Sequence, residues 1–177
     1  MMAAFFSKSK PWLFSLFIFI CFYAVAFLVQ VNGDSMVPSL TGNQIALVAR
    51  QTKIERFDII VIRDKEKSDK LVIKRVIGLP GEELLYKDDQ LFINNQPVSE
   101  PFLAEMKAAL AKDTLLTENI EKIKIPDHSY YVLGDNRKIS LDSRSIGTIH
   151  EEAILGEAKF LLWPPKKINE NEQEEVE

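Results

Sequence analysis

From residue 11 to residue 31 the chain reads "PWLFSLFIFICFYAVAFLVQV" and carries no charged side chain. A helix rising 1.5 Å per residue needs roughly twenty residues to cross the ~30 Å core of a bilayer, so this run predicts a transmembrane helix. A cleaved secretory signal would have a shorter apolar centre, about 7 to 15 residues, and a small-x-small end. "LVQVNGD" has no such end, which favours a retained anchor.

Beyond the run the pattern changes. "QIALVAR" (44–50), "FDIIVIRD" (57–64) and "LVIKRVIG" (71–78) are short β-branched stretches between polar connectors and predict strands. "ELLYKDDQLFINNQPV" predicts two short strands joined at 87–90, with a further turn at Asn94 and Asn95. "EPFLAEMKAALAKD" places Phe102, Leu103, Met106 and Leu110 on one stripe and predicts a helix. "SYYVLGD" (129–135) and "AILGEAKFLLW" (153–163) return to strand character, and the proline pair after them should end the ordered part. The expected body is a mainly β domain, closed or sandwiched to limit exposed edges, with one small helical insertion.

Charge orients the chain. Lys8 and Lys10 precede the apolar run and Asp34 follows it, so the positive-inside rule puts residues 1–10 in the cytoplasm and the body outside. The expected division is a cytoplasmic 1–10, an anchor 11–31, an extracytoplasmic domain 32–166 and an acidic, solvated tail 167–177. The formal net charge is −4; the 1–32 segment contributes +2 and the five glutamates of "NENEQEEVE" contribute −5, which leaves residues 33–168 near −1. A body this balanced lacks the clustered basic residues that displace counterions from phosphates, so nucleic acid is set aside as a partner. Cys21, the single cysteine, lies in the apolar run, which excludes an internal disulfide and a multi-cysteine zinc site. No cofactor is implied.

Against that background "VNGDSMVPSL" stands out, because Ser35 follows the anchor by four residues, and four extended residues reach at most ~14 Å. A serine that attacks an amide needs a base and donors for the oxyanion. His128 and His150 are the two histidines, both in polar, loop-like settings, and a Ser-His-Asp arrangement stays open. The other candidate base is Lys74, which strand alternation puts on the same face as Val72 and Val76. Burial disfavours an ammonium and can leave a neutral amine that accepts a proton near neutral pH. A third segment, "GDNRKISLDSR" (134–144), crowds Asp, Asn, Arg and Ser into a loop after a strand.

Taken together, "GDSMVPSL", "IERFDIIVI", "VIKRVIGLPGE" and "LGDNRKISLDSRSIGTI" occur in the order of the motif boxes of type I signal peptidases, and the chain resembles the small Gram-positive kind with one amino-terminal anchor. The resemblance runs from about Val31 to Pro164. It implies a signal-peptidase-like β-fold and a membrane-bound serine endopeptidase with a Ser/Lys dyad: Ser35 as nucleophile, Lys74 as general base, Ser140 orienting the lysine amine, and Asp142 with Arg144 as a supporting ion pair. Asp135 and Arg137 belong to the same box as Ser140. Arg75, beside the lysine, should face the other way and be structural. Met36, Leu40 and Ile73 flank the dyad and are the expected walls of shallow substrate pockets. The implied substrates are translocated preproteins with small residues at −3 and −1, and the implied partners are membrane lipid and the secretion translocase. Gly33 stands where some relatives have a serine that donates to the oxyanion, so that donor should be backbone here, chiefly the Ser35 N–H. Ser39 replaces the commoner threonine, and Lys138 and Ile139 replace polar residues. The alternative function is a non-catalytic or substrate-dedicated assembly factor for exported surface proteins. A self-cleaving repressor would need a DNA-binding module in place of the anchor.

Overall fold

The computed structural model describes residues 25–64, 70–112, 114–163 and 165–168, together with Trp12, Ser15 and Leu16. Twelve strands run through these residues: β1 (Ala26–Gln30), β2 (Ile45–Ala49), β3 (Ile59–Asp64), β4 (Lys70–Gly78), β5 (Glu83–Lys87), β6 (Gln90–Ile93), β7 (Gln96–Val98), β8 (Ile120–Lys124), β9 (Ser129–Leu133), β10 (Ile149–His150), β11 (Ile154–Leu162) and β12 (Pro165–Lys167). The helices are short, α1 at Ala104–Ala108 and α2 at Ser143–Ile146.

The strands form two antiparallel sheets. In the larger, the path is β1-β2-β11-β3-β4-β9-β10, with β12 added beside β11; the smaller is β7-β6-β5-β8. The expected mainly β architecture with a small helical part is therefore present, as an open path with edges at β1 and β10 rather than a closed circuit.

Three apolar clusters fill the molecule. Val29, Met36, Leu40, Val48, Val61 and Ile73 belong to the first, on one face of the larger sheet. Ile60, Ile62, Val76 and Val132 make the second on its other face, and Leu84, Tyr86, Leu91 and Ile125 belong to the third, under the smaller sheet. β4 is buried along both faces from Ile73 onward, which is why its sequence is nearly continuous in apolar residues rather than alternating. Gly156, at a register shift in β11, lets the chain cross β2 closely: a Cβ there would stand 2.3 Å from the Ala49 carbonyl oxygen.

Several expectations change. Residues 1–11 and most of the predicted anchor lie outside the described residues, but its last part does not: Ala26–Gln30 is a strand paired with β2 from Ala26↔Ala49 to Gln30↔Ile45. An apolar run does not by itself separate a helix from a buried strand. The folded body thus begins inside the predicted 11–31 span, and no helix among the described residues is long and apolar enough to cross a membrane. The proline pair does not end the order, because Pro165–Lys167 pairs with β11 and Ile168 packs into the first cluster. The boundary of the predicted tail moves past Ile168; residues 169–177 lie outside the described set. The helical insertion is one 3-10 turn (Pro101–Leu103) and the single-turn α1, shorter than its stripe suggests, because only Leu103 of that stripe is fully buried.

Candidate active site

Ser35 lies on the connection between β1 and β2. Its neck is closed by Val31 N–H donating to Gln44 O at 2.8 Å and Asn43 N–H donating to Val31 O at 3.0 Å. Gly33 takes φ +83°, a left-handed conformation that glycine adopts without penalty. Met36 and Leu40, one and five residues after Ser35, are both at most 2% exposed and anchor the turn in the first cluster. Ser35 itself is half-buried, held at the surface by these two anchors.

Lys74 is opposite Ile60 on β3 and shares its strand face with Val72 and Val76, as alternation predicts. It is only 6% exposed, and its Nζ lies 2.9 Å from Ser35 Oγ. Burial pushes this amine below the usual lysine range; the carboxylates of Asp142 and Asp135 push back, and the Arg144 guanidinium adds to the lowering.

The loop after β9 closes the site from the other side. Asn136 N–H donates to the Ser35 carbonyl oxygen at 3.0 Å. Gly134 packs flat against the same carbonyl, where a Cβ would come within 2.4 Å of the oxygen. Asp142 caps α2, accepting from Arg144 N–H at 3.3 Å, receives Gly134 N–H at 3.0 Å, and holds the Arg144 fork at 2.8 Å through both Nε and Nη2. Burial alone would raise this carboxyl, but the Arg144 and Gly134 hydrogen bonds outweigh it and hold it below the usual carboxylate range.

Arg75 faces away from Lys74 and is buried, as expected of a structural residue. Its Nε and Nη2 take both oxygens of Asp135, at 2.8 and 2.6 Å, its Nη1 donates to Phe57 O, and its Nη2 donates to Ser39 Oγ at 3.1 Å. The hydroxyl at position 39 thus ties the serine turn to the strand of the lysine.

Not every expected contact forms. Ser140 Oγ is buried and makes no hydrogen bond to the Lys74 amine; the polar group it acts on is the Asp142 carboxyl, which it helps to hold low. The turn that binds Ser140 N–H to Asn136 O at 3.1 Å aims the side chain over Gly134, where a Cβ on residue 134 would stand 2.3 Å from Ser140 Oγ. Met36, Leu40 and Ile73 are core residues, and Ile73 keeps the most surface of the three, 8%. His128 and His150 are exposed beside Glu151 and Glu152, at the end of β9 opposite Gly134. Lys138 and Ile139 are exposed on the loop. Sequence reasoning placed Gly134 and Asn136 in the 134–144 segment but gave them no role, because they act through their backbones and offer no side-chain signal. Among the described residues no group of His, Cys, Asp and Glu is arranged to hold a metal.

This pairing of a buried lysine with a turn serine can be set beside known proteins. The family model described as signal peptidase, peptidase S26, matches residues 10–163. Signal peptidase I of Streptococcus pneumoniae serotype 4 is 34% identical over 171 residues, covering 79% of this chain and 83% of its own. Signal peptidase I S of Bacillus subtilis is 39% identical over 141 residues, covering 76% and 75%, and signal peptidase I V of the same organism is 42% identical over 136 residues, covering 72% and 80%. The crystal structure of a signal peptidase I from Enterococcus faecalis superposes with a TM-score of 0.57 at 37% identity, covering 60% of this chain and 97% of that one. The chain belongs to the signal peptidase family, peptidase family S26.

Proposed function

We propose that the chain is a membrane-bound serine endopeptidase that removes signal peptides from translocated preproteins, with Ser35 as nucleophile and Lys74 as general base. The observation that carries this reading is the 2.9 Å approach of a buried, pKa-lowered amine to a turn hydroxyl. Ser35 Oγ attacks the scissile carbonyl carbon and passes its proton to the neutral Lys74 Nζ; that proton then goes to the amine of the departing mature chain, leaving an ester on Ser35. Lys74 next takes a proton from water, whose hydroxide attacks the ester, and returns the proton to Ser35 as the signal peptide leaves. Donors for the oxyanion would be backbone, with the Ser35 N–H foremost.

Asp142 and Arg144 support the loop that backs the dyad, and Ser140 on the same loop is the residue that would orient the lysine amine. Met36, Leu40 and Ile73 would back shallow subsites that accept alanine-sized side chains at −3 and −1. Membrane attachment rests on the apolar run that opens at residue 11 and on an apolar outer face. Leu28, Leu47 and Phe160 are successive cross-strand partners on one face, and Leu28, Phe160, Leu162 and Trp163 are all exposed. Such a continuous apolar surface suits a lipid interface. With Lys8 and Lys10 holding the amino terminus in the cytoplasm, the peptidase body stands outside the membrane, where preproteins emerging from the secretion translocase are at hand.

The test is cleavage of a preprotein by detergent-solubilised full chain. Ser35→Ala and Lys74→Ala should each abolish cleavage while circular dichroism stays unchanged. Ser140→Ala should lose activity in part. Full cleavage by either of the first two folded variants would overturn the dyad and leave a non-catalytic assembly role as the reading to pursue.

A further inference from the structure

Behind the 134–144 loop lies a buried ion pair for which the reaction scheme so far has no use. Glu100, at the start of the 3-10 turn, and Arg137, two residues after Asp135, have side chains at most 1% exposed and are hydrogen-bonded to each other. Arg137 Nη1 also donates to Thr117 Oγ1 at 2.7 Å and to the Tyr86 hydroxyl at 3.1 Å, and its Nε donates to the Gly134 carbonyl at 3.2 Å. The Tyr86 hydroxyl donates to Glu100 Oε1 at 2.6 Å. One guanidinium thus joins the smaller sheet (Tyr86), both ends of the 100–117 segment and the turn beside the nucleophile.

The segment is fastened at further points. Lys107 Nζ lies 3.8 Å from Glu100 Oε2 and donates to Asp89 O at 2.6 Å, while the Asp89 carboxylate accepts the N–H groups of Leu116 and Thr117, each at 3.0 Å. Lys138 Nζ donates to Leu115 O at 2.6 Å. The segment therefore grips the loop at two consecutive residues, Arg137 and Lys138.

Stability alone is a weak reason for such a pair. Two charges removed from water lose hydration that their attraction barely offsets, and well-packed apolar residues of similar volume would serve folding as well or better. What a guanidinium bonded through all three nitrogens supplies is geometry, since its planar fork fixes direction as well as distance. Here the geometry has a specific target. Arg137 holds the carbonyl of Gly134, the residue pressed against Ser35 O, and it directly follows Asn136, whose N–H holds that same oxygen.

We propose that Glu100 is a positioning residue for the reaction: through Arg137 it fixes the 134–137 turn that clamps the backbone of Ser35, so the smaller sheet and the 100–117 segment help set the nucleophile against Lys74. This rests on the dyad reading above. Displacements of about 1 Å in a reacting group can lower a rate by as much as ~10²-fold, so a clamp of this kind acts on turnover rather than on substrate binding.

The experiment measures kcat and KM for a preprotein with detergent-solubilised full chain carrying Glu100→Gln, which keeps the shape but removes the charge. Thr117→Val is made in parallel and removes one hydrogen bond to Arg137 without changing any charge. The expected result is a kcat lower by about tenfold for Glu100→Gln and by about threefold for Thr117→Val, with KM within twofold of the parent in both. Should Glu100→Gln not fold, Thr117→Val decides alone. A kcat within twofold of the parent in the folded variants overturns the proposal, and so does a rise in KM with kcat intact, which would make the segment a substrate-binding element. Ser35→Ala and Lys74→Ala run alongside: cleavage by those would sink the dyad reading itself, whereas their silence with an unaffected Glu100→Gln sinks only the positioning role.

Discussion

The carbonyl oxygen of Ser35 rests against the Cα of Gly134 so closely that a methyl group on residue 134 would stand 2.4 Å from it and 2.3 Å from Ser140 Oγ. All three contacting atoms, with Ser140 Cβ at 2.6 Å the third, belong to Ser35 and Ser140, both proposed for catalysis. Gly134→Ala should therefore push the serine turn and the loop apart. The expected outcome is a fall in activity of at least ~10²-fold with a loss of stability of about 1–3 kcal/mol, read from cleavage assays and denaturant melts of the same preparation.

Lys74 carries a lowered pKa because it is buried, and that has a sign for stability. Between the folded-state pKa and the ordinary value of 10.5 the unfolded chain holds the proton more tightly, so stability rises with pH across that window. Lys74→Met should accordingly be more stable than the parent at neutral pH, by a margin that shrinks as pH approaches 10.5, while losing at least ~10²-fold in activity. Urea melts at several pH values test it, and a variant less stable than the parent at pH 7 would contradict the burial argument.

Asp142 raises the pKa of Lys74, and Arg144 lowers it. Asp142→Asn removes the first influence and leaves the second, so both consequences point the same way. The acid limb of the pH–kcat profile should move to lower pH, together with a drop in kcat of about tenfold or more from the weakened α2 cap and loop. An acid limb that stays in place would mean that some group other than Lys74 titrates there.

At the start of β3, Asp58 is raised to about 6, chiefly by burial and further by the nearby Glu157 carboxylate. A carboxyl whose folded pKa exceeds its ordinary value of 3.8 favours the folded state most at low pH, and this contribution is lost as pH rises from about 4 to about 6. Asp58→Asn should flatten that decline. Parent and variant compared by denaturant titration across the window isolate the group from the other carboxylates.

How much of this was legible in the sequence depends on whether the signal was local. β2, β3, β4 and the β5–β6 hairpin, with the turn that leads into β7, follow from β-branched runs and asparagine turns, because period and turn chemistry are properties of neighbouring residues. β8, "IEKIK", escaped notice, since two isoleucines among charges carry little signal without the β5 edge that receives them. The helix stripe of 102–110 outran the helix, because a stripe becomes a helix only as far as something packs on it.

The sequence by itself determined that Ser35 sits in a glycine-led turn, that Lys74 is placed on an apolar strand face and that an acidic and basic loop follows a late strand; alternation and turn residues suffice for each. Only the tertiary structure decided that "AFLVQ" is the edge strand β1, that the Ser140 side chain packs over Gly134, and that Glu100 reaches Arg137. Those outcomes depend on partners 23, 6 and 37 positions away, taking Ala26 with Ala49, Ser140 with Gly134 and Glu100 with Arg137. Competition among backbone ladders, close packing and desolvated charge settles them, and none of those forces is confined to neighbours in the chain.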